Sequence, residues 1–98
     1  MAYSIEIRRT HLDTKVAVYA WVMTTGSSGY VSVERESGLI RPCDPDGNPV
    51  GTMFIDRRVG AVENPDPSTK ENFLVVASSV LKKWREGEPP ATAHRYFG

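Results

Sequence analysis

Lys15–Met23 reads KVAVYAWVM, nine residues without a charge after the first. The stretch is rich in β-branched and aromatic residues and too short for a typical helix, so it is expected to form a strand. It is apolar at both parities. Val16, Val18, Ala20 and Val22 form one side, small enough to suit the packing of a helix. Ala17, Tyr19, Trp21 and Met23 form the other. A strand that is apolar on both faces needs two covers.

The flanking segments are one-sided. Tyr3–Arg9 alternates Tyr3, Ile5 and Ile7 against Ser4, Glu6 and Arg8, the pattern of a strand with one wet face. Tyr30–Glu36 (YVSVERE) alternates in the same way, with Val31 and Val33 facing inward. Short polar links, Thr10–Thr14 and Thr24–Gly29, join the three, so they are expected to form an antiparallel meander. Ser37-Gly38 ends the third strand, and Leu39–Arg41 is short enough for a minor fourth. Asp44-Pro-Asp-Gly-Asn-Pro49 is a sharp turn signal. Val50–Arg58 (VGTMFIDRR) follows as the returning strand of that hairpin. Gly60–Pro67, with Asn64-Pro65-Asp66-Pro67, is expected to carry no regular structure.

One helix is expected over about residues 69–86. Ser68 has N-cap chemistry, and Glu71 three residues on completes a capping box. Phe73, Leu74, Val76, Ala77, Val80, Leu81 and Trp84 share a broad apolar arc at 100° per residue. Glu71, Ser78, Ser79, Lys82, Lys83, Arg85 and Glu86 fill the other side, and Val75 lies nearly opposite the apolar centre. Gly87 suits the C′ position and Pro89-Pro90 stops continuation. Residues 88–98 form a tail, with Tyr96 and Phe97 available to dock it. The expected architecture is α+β over residues 1–98: a twisted antiparallel sheet of four or five strands with one C-terminal helix across one face. The strands are placed near 3–9, 15–23, 30–36, 39–41 and 50–58.

Ninety-eight residues support one modest core. Apolar residues make up 40% and charged residues 24%, which places the chain among ordinary globular proteins. Lys and Arg total 12, as do Asp and Glu. The zero net charge disfavours a nucleic-acid partner, because phosphate binding leaves a basic excess. The longest apolar run is eight residues, Val16–Met23, against about 20 for a membrane helix. Glu6, Arg8 and Arg9 interrupt the place of a signal-peptide core. With a single cysteine, Cys43, no intrachain disulfide is possible. The cytoplasm is the expected compartment.

The chemistry-bearing residues are sparse. Asp44, Asp46 and Asn48 have the opening spacing of an EF-hand loop, but Pro49 and Ile55 stand where it needs glycine and glutamate. Cys43 is followed by Asp44, which disfavours a thiolate. His11 and Asp13 have base-and-orienter types without a nucleophile beside them. His94 is far from His11 in sequence, and no metal-ligand spacing appears. Gly26-Ser27-Ser28-Gly29 lacks the lysine and following helix of a phosphate loop. Arg8-Arg9, Arg57-Arg58 and Lys82-Lys83 have acids nearby and read as solvated faces. No cofactor is expected.

A helix is about 10 Å across and strands lie about 4.8 Å apart, so one helix shields two or three strands on one face. Something must cover Tyr19, Trp21 and Met23: a curled sheet, the C-terminal tail, or another protein or second copy of this chain. Aromatic residues and methionine favour interfaces. The functional expectation is a non-enzymatic interaction module of inhibitor, immunity or adaptor type, binding through Tyr19, Trp21, Met23, Tyr30 and Glu34. The alternatives are a single-stranded nucleic-acid binder stacking bases on sheet aromatics, and a small enzyme using His11 or Cys43.

Overall fold

A computed structural model describes residues 3–84 and 88–97. Its strands are β1 (Tyr3–Leu12), β2 (Val16–Met23), β3 (Ser28–Glu34), β4 (Leu39–Cys43), β5 (Phe54–Asp56), β6 (Val62–Glu63) and β7 (Thr92–Phe97), with helix α1 (Lys70–Lys83) between β6 and β7. The protein is α+β, with one antiparallel sheet in the order β6-β5-β4-β3-β2-β1-β7. The sheet has seven strands, not four or five. The tail supplies one of the additional strands, pairing β7 beside β1. A two-residue strand inside the segment expected to be irregular supplies another. The expected strand over Val50–Arg58 shrinks to Phe54–Asp56: the returning chain meets β4 at Cys43–Pro49, where Val50 donates its amide to the Pro42 carbonyl at 3.0 Å, and pairs with it again only at Ile55 and Asp56.

Register decides which face is the core. Ile5 stands opposite Met23 and Ile7 opposite Trp21, while Tyr19 pairs with Val31 and Ala17 with Val33. The one-sided alternation of β1 and β3 therefore draws Ala17, Tyr19 and Met23 inward, onto the helix. The small valine face of β2 is not the helix-packing face, which reverses the expectation from side-chain size. Tyr19 is completely buried and Met23 nearly so. The register of β1 shifts between Arg9 and His11. This bulge turns Leu12 back to the core side opposite Ala17, where it packs partly buried against the core.

Seven flat strands would span about 29 Å, far wider than one helix. Yet Ile55 on β5 and Ala93 on β7, five strands apart, are both only 3% exposed. The sheet must curl around α1 to bury both, and Phe73, Val76, Ala77, Val80 and Trp84 fill its concave side. Arg57 closes the far end of the helix: its guanidinium lies 4.1 Å from the Trp84 ring centroid and donates to the Trp84 carbonyl at 2.9 Å.

The helix is the expected one with different ends. Its N-cap is Thr69, and no side chain caps it. Asp66 displaces the expected capping box: its carboxylate accepts from the Ser68 amide at 3.0 Å and hydroxyl at 2.8 Å, and its carbonyl accepts from Thr69 and Lys70. Ser79 is buried, donating to the Val75 carbonyl at 2.7 Å. Val75 itself packs against the core. The helical arc in contact is thus wider than the apolar pattern implies. Arg85, Glu86 and Gly87, and the side chains of Tyr96 and Phe97, lie outside the described residues.

Three successive carbonyls position β7. The Pro89 oxygen accepts from Arg9 Nη1 at 2.9 Å, that of Pro90 from the Tyr19 hydroxyl at 2.5 Å, and that of Ala91 from the Arg9 amide at 2.9 Å. Prolines have no N–H with which to join a ladder, so side chains from β1 and β2 anchor the approach.

Candidate functional site

The second face of β2 has its own cover at one end. The turn after β4 is tied by Asp44, whose carboxylate accepts from the amides of Asp46 and Asn48 at 2.9 Å each. This turn folds back over Val18. Gly47 has φ +88°, a backbone that favours glycine, and a Cβ on it would press on Val18 Cγ2 at 3.1 Å. Val18, Ser32 and Cys43 are buried beneath or beside it. The sequence assigns Asp44–Pro49 correctly as a tight turn but does not show that the turn is a lid.

Beside that turn, the opposite face of the sheet is open. A groove of about 350 Å³ runs between β2–β3, the loop before β5 and the start of α1. Its floor includes Val31, Met53 and Phe73, all buried. Trp21 stands in its wall, partly buried, and its indole lies against the Gly29 backbone: a Cβ there would come within 2.8 Å of Cζ2. The rim carries Pro42, Val50, Asn64, Pro65 and Asp66. Val50 is 57% exposed.

Hydrogen bonds tie that rim together. The Asp66 amide donates to Met53 Sδ at 3.4 Å, Asn64 Nδ2 reaches the Thr52 carbonyl at 3.4 Å, and Asn64 holds φ +50°. An apolar floor within a polar rim is the anatomy of a recognition site.

The five expected contact residues do not act as one patch. Tyr19 and Met23 are core residues. Burial, opposed by the charge of Arg9, pushes the Tyr19 hydroxyl well above its ordinary range. Trp21 and Tyr30 both line the groove. Glu34 lies about 13 Å along β3 from Tyr30, in a polar recess with Lys15, Glu36 and Arg58, and accepts from the Ser37 hydroxyl at 2.8 Å. No local sequence pattern groups Val50, Pro42, Pro65 and Phe73. Their only sequence signal is apolarity, and three elements must meet before they share a wall.

His11 and Cys43 have separate structural surroundings. The His11 ring bonds Asp13 Oδ2 at 2.9 Å, while Asp13 Oδ1 accepts from the amides of Lys15 and Val16 at 2.7 and 2.8 Å. That set staples the β1–β2 turn and, led by the His11 bond, lowers the Asp13 carboxyl to about 2. The Cys43 thiol is raised to about 11, mainly by burial and further by Asp44, against a lowering hydrogen bond with Ser32. The Phe54 ring has the Arg41 guanidinium over it, 5.9 Å from its centroid. Among the described residues no three His, Cys, Asp or Glu gather as a metal site, and no helix is long and apolar enough to cross a membrane.

No family model, no curated protein and no solved structure matches this chain.

Proposed function

We propose that this protein is a small, non-enzymatic protein-interaction module of the inhibitor, immunity or adaptor type. Its partner seats an apolar segment in the groove beside Trp21 and Val50. The observation that carries this reading is the pairing of a buried apolar floor (Val31, Met53, Phe73) with the exposed Val50 on a hydrogen-bonded rim. A pre-formed groove loses little entropy on binding, and a tryptophan in its wall supplies the anchor type that dominates interface energies. Tyr30 borders the groove, with its side chain on the face of β3 opposite Val31, and would contribute at its edge. Glu34, in its separate recess, would contribute at the periphery if the partner is large.

The test is capture from source-cell lysate on immobilised protein. Wild type, V50E and Y30A are compared, each first shown to be folded by circular dichroism and thermal unfolding. Val50 is exposed, so V50E should fold normally and lose the captured protein, with Y30A retaining less of it than wild type. The same protein recovered at equal yield on folded V50E would refute the groove as the binding site.

A further inference from the structure

The two edges of the sheet differ. At one end β6 has only two residues, too short to template another strand. At the other, β7 runs six residues without an internal proline. The bond from the Arg9 amide to the Ala91 carbonyl sets the phase of the β1–β7 ladder. In that phase the peptide groups of Ala91, Ala93 and Arg95 face β1, and those of Thr92, His94 and Tyr96 face away from the sheet. Among the described residues, one of these outward groups has a partner: the Thr92 carbonyl, which accepts from Lys83 Nζ at a long 3.3 Å.

We propose that β7 is a pairing edge for a second copy of this chain, joined antiparallel about a two-fold axis at His94. His94 is central among the three outward residues. The axis sets it opposite the partner's His94 and sets Thr92 opposite the partner's Tyr96, so each outward N–H meets a carbonyl. The closed two-fold contact uses the same surface on both copies. Charge does not oppose the match. Glu6 on β1 stands directly across from His94, so each histidine at the seam has a carboxylate on its inner side. A chain with 12 basic and 12 acidic residues has no net charge to drive its copies apart. Lys83 yields one weak, exposed hydrogen bond when the strands join.

The experiment is analytical ultracentrifugation of wild type, H94P and H94A from about 10 μM to 1 mM. Proline at an outward-facing position of an edge strand removes the outward donor and leaves the bonds to β1 intact. Wild type should reach twice the 10.9 kDa chain mass, H94A should do the same, and folded H94P should remain at the single-chain mass. Amide hydrogen exchange provides a reading independent of the variants: protection at His94 and Tyr96 should rise with wild-type concentration. A wild type that stays monomeric to 1 mM overturns the proposal. So does association unaffected by H94P, loss of association in H94A as complete as in H94P, or edge amides whose exchange ignores concentration.

Discussion

Tyr19 donates its phenolic hydrogen to the Pro90 carbonyl at 2.5 Å, joining β2 to a segment 71 residues further along the chain. Arg9, its cross-strand neighbour, holds the Pro89 carbonyl beside it. The apolar ring of Tyr19 belongs to the core, and its one polar atom is satisfied by the strap that leads into β7. This contact answers what covers the aromatic side of β2: the concave core and the chain's own C-terminal segment.

Removing that hydroxyl leaves a part-buried carbonyl unsatisfied. Tyr19→Phe is expected to lose about 1–2 kcal/mol, measured by urea unfolding. Arg9→Met should lose a comparable amount. The double variant should lose less than the sum, because both side chains hold one strap. Strict additivity would show that the two bonds act independently.

Gly47→Ala forces a side chain into left-handed backbone at φ +88°, with its Cβ 3.1 Å from Val18. The strain alone is about 1–2 kcal/mol, and Val18 or the turn must give way slightly. Cys43 lies beside it with its thiol raised to about 11, so wild type should react slowly with a disulfide reagent at pH 8. The variant should react several-fold faster. Unchanged reactivity in a folded variant would mean the turn does not shield that face.

The Asp13 carboxyl is lowered from 3.8 to about 2, first by the His11 hydrogen bond and then by the Val16 and Lys15 amides. A lowered value means the folded state favours the ionised form. Its contribution is therefore present above about pH 4 and lost as pH falls towards 2. Asp13→Ala should be less stable than wild type at pH 6, and the gap should narrow steadily between pH 4 and 2. Urea midpoints across that range provide the check, and a gap that widens on acidification would contradict the assignment.

Arg57 both covers the Trp84 ring and donates to the Trp84 carbonyl. Lysine cannot reproduce the planar stacking of a guanidinium together with its hydrogen bond. Arg57→Lys should destabilise by about 1–2 kcal/mol in thermal or urea unfolding. The more exposed Arg58 bonds only its near neighbour Asp56 among the described residues. Its replacement by lysine should change stability by less than about 0.5 kcal/mol.

Much of the architecture is legible in local pattern. The alternation of Ile5 and Ile7, and of Val31 and Val33, marks the inner faces of β1 and β3, and the spacing from Phe73 to Trp84 marks the helix. Each signal lies within a few residues because strand and helix periods are local properties. The helix cap is a near miss of the same kind: Ser68-Thr-Lys-Glu71 has capping-box spacing, but Asp66, two residues earlier, takes the serine hydroxyl. The groove was less legible. Trp21 and Tyr30 are visible as aromatics, whereas Val50, Pro65 and Phe73 become neighbours only when the loop before β5 meets the start of α1.

The sequence by itself determined an α+β chain with a β1–β3 meander, a tight turn at Asp44–Pro49 and one amphipathic helix. Short-range periodicity and turn chemistry suffice for these. The tertiary structure alone decided which face of Lys15–Met23 is inside. That strand is apolar on both sides, so its own pattern cannot choose. Pairing with β1 and β3 makes the choice by aligning Tyr19 and Met23 with residues whose alternation is unambiguous. The tertiary structure also turned the polar tail into β7 and the turn at Gly47 into a cover for Val18, since both depend on contacts between residues far apart in the chain.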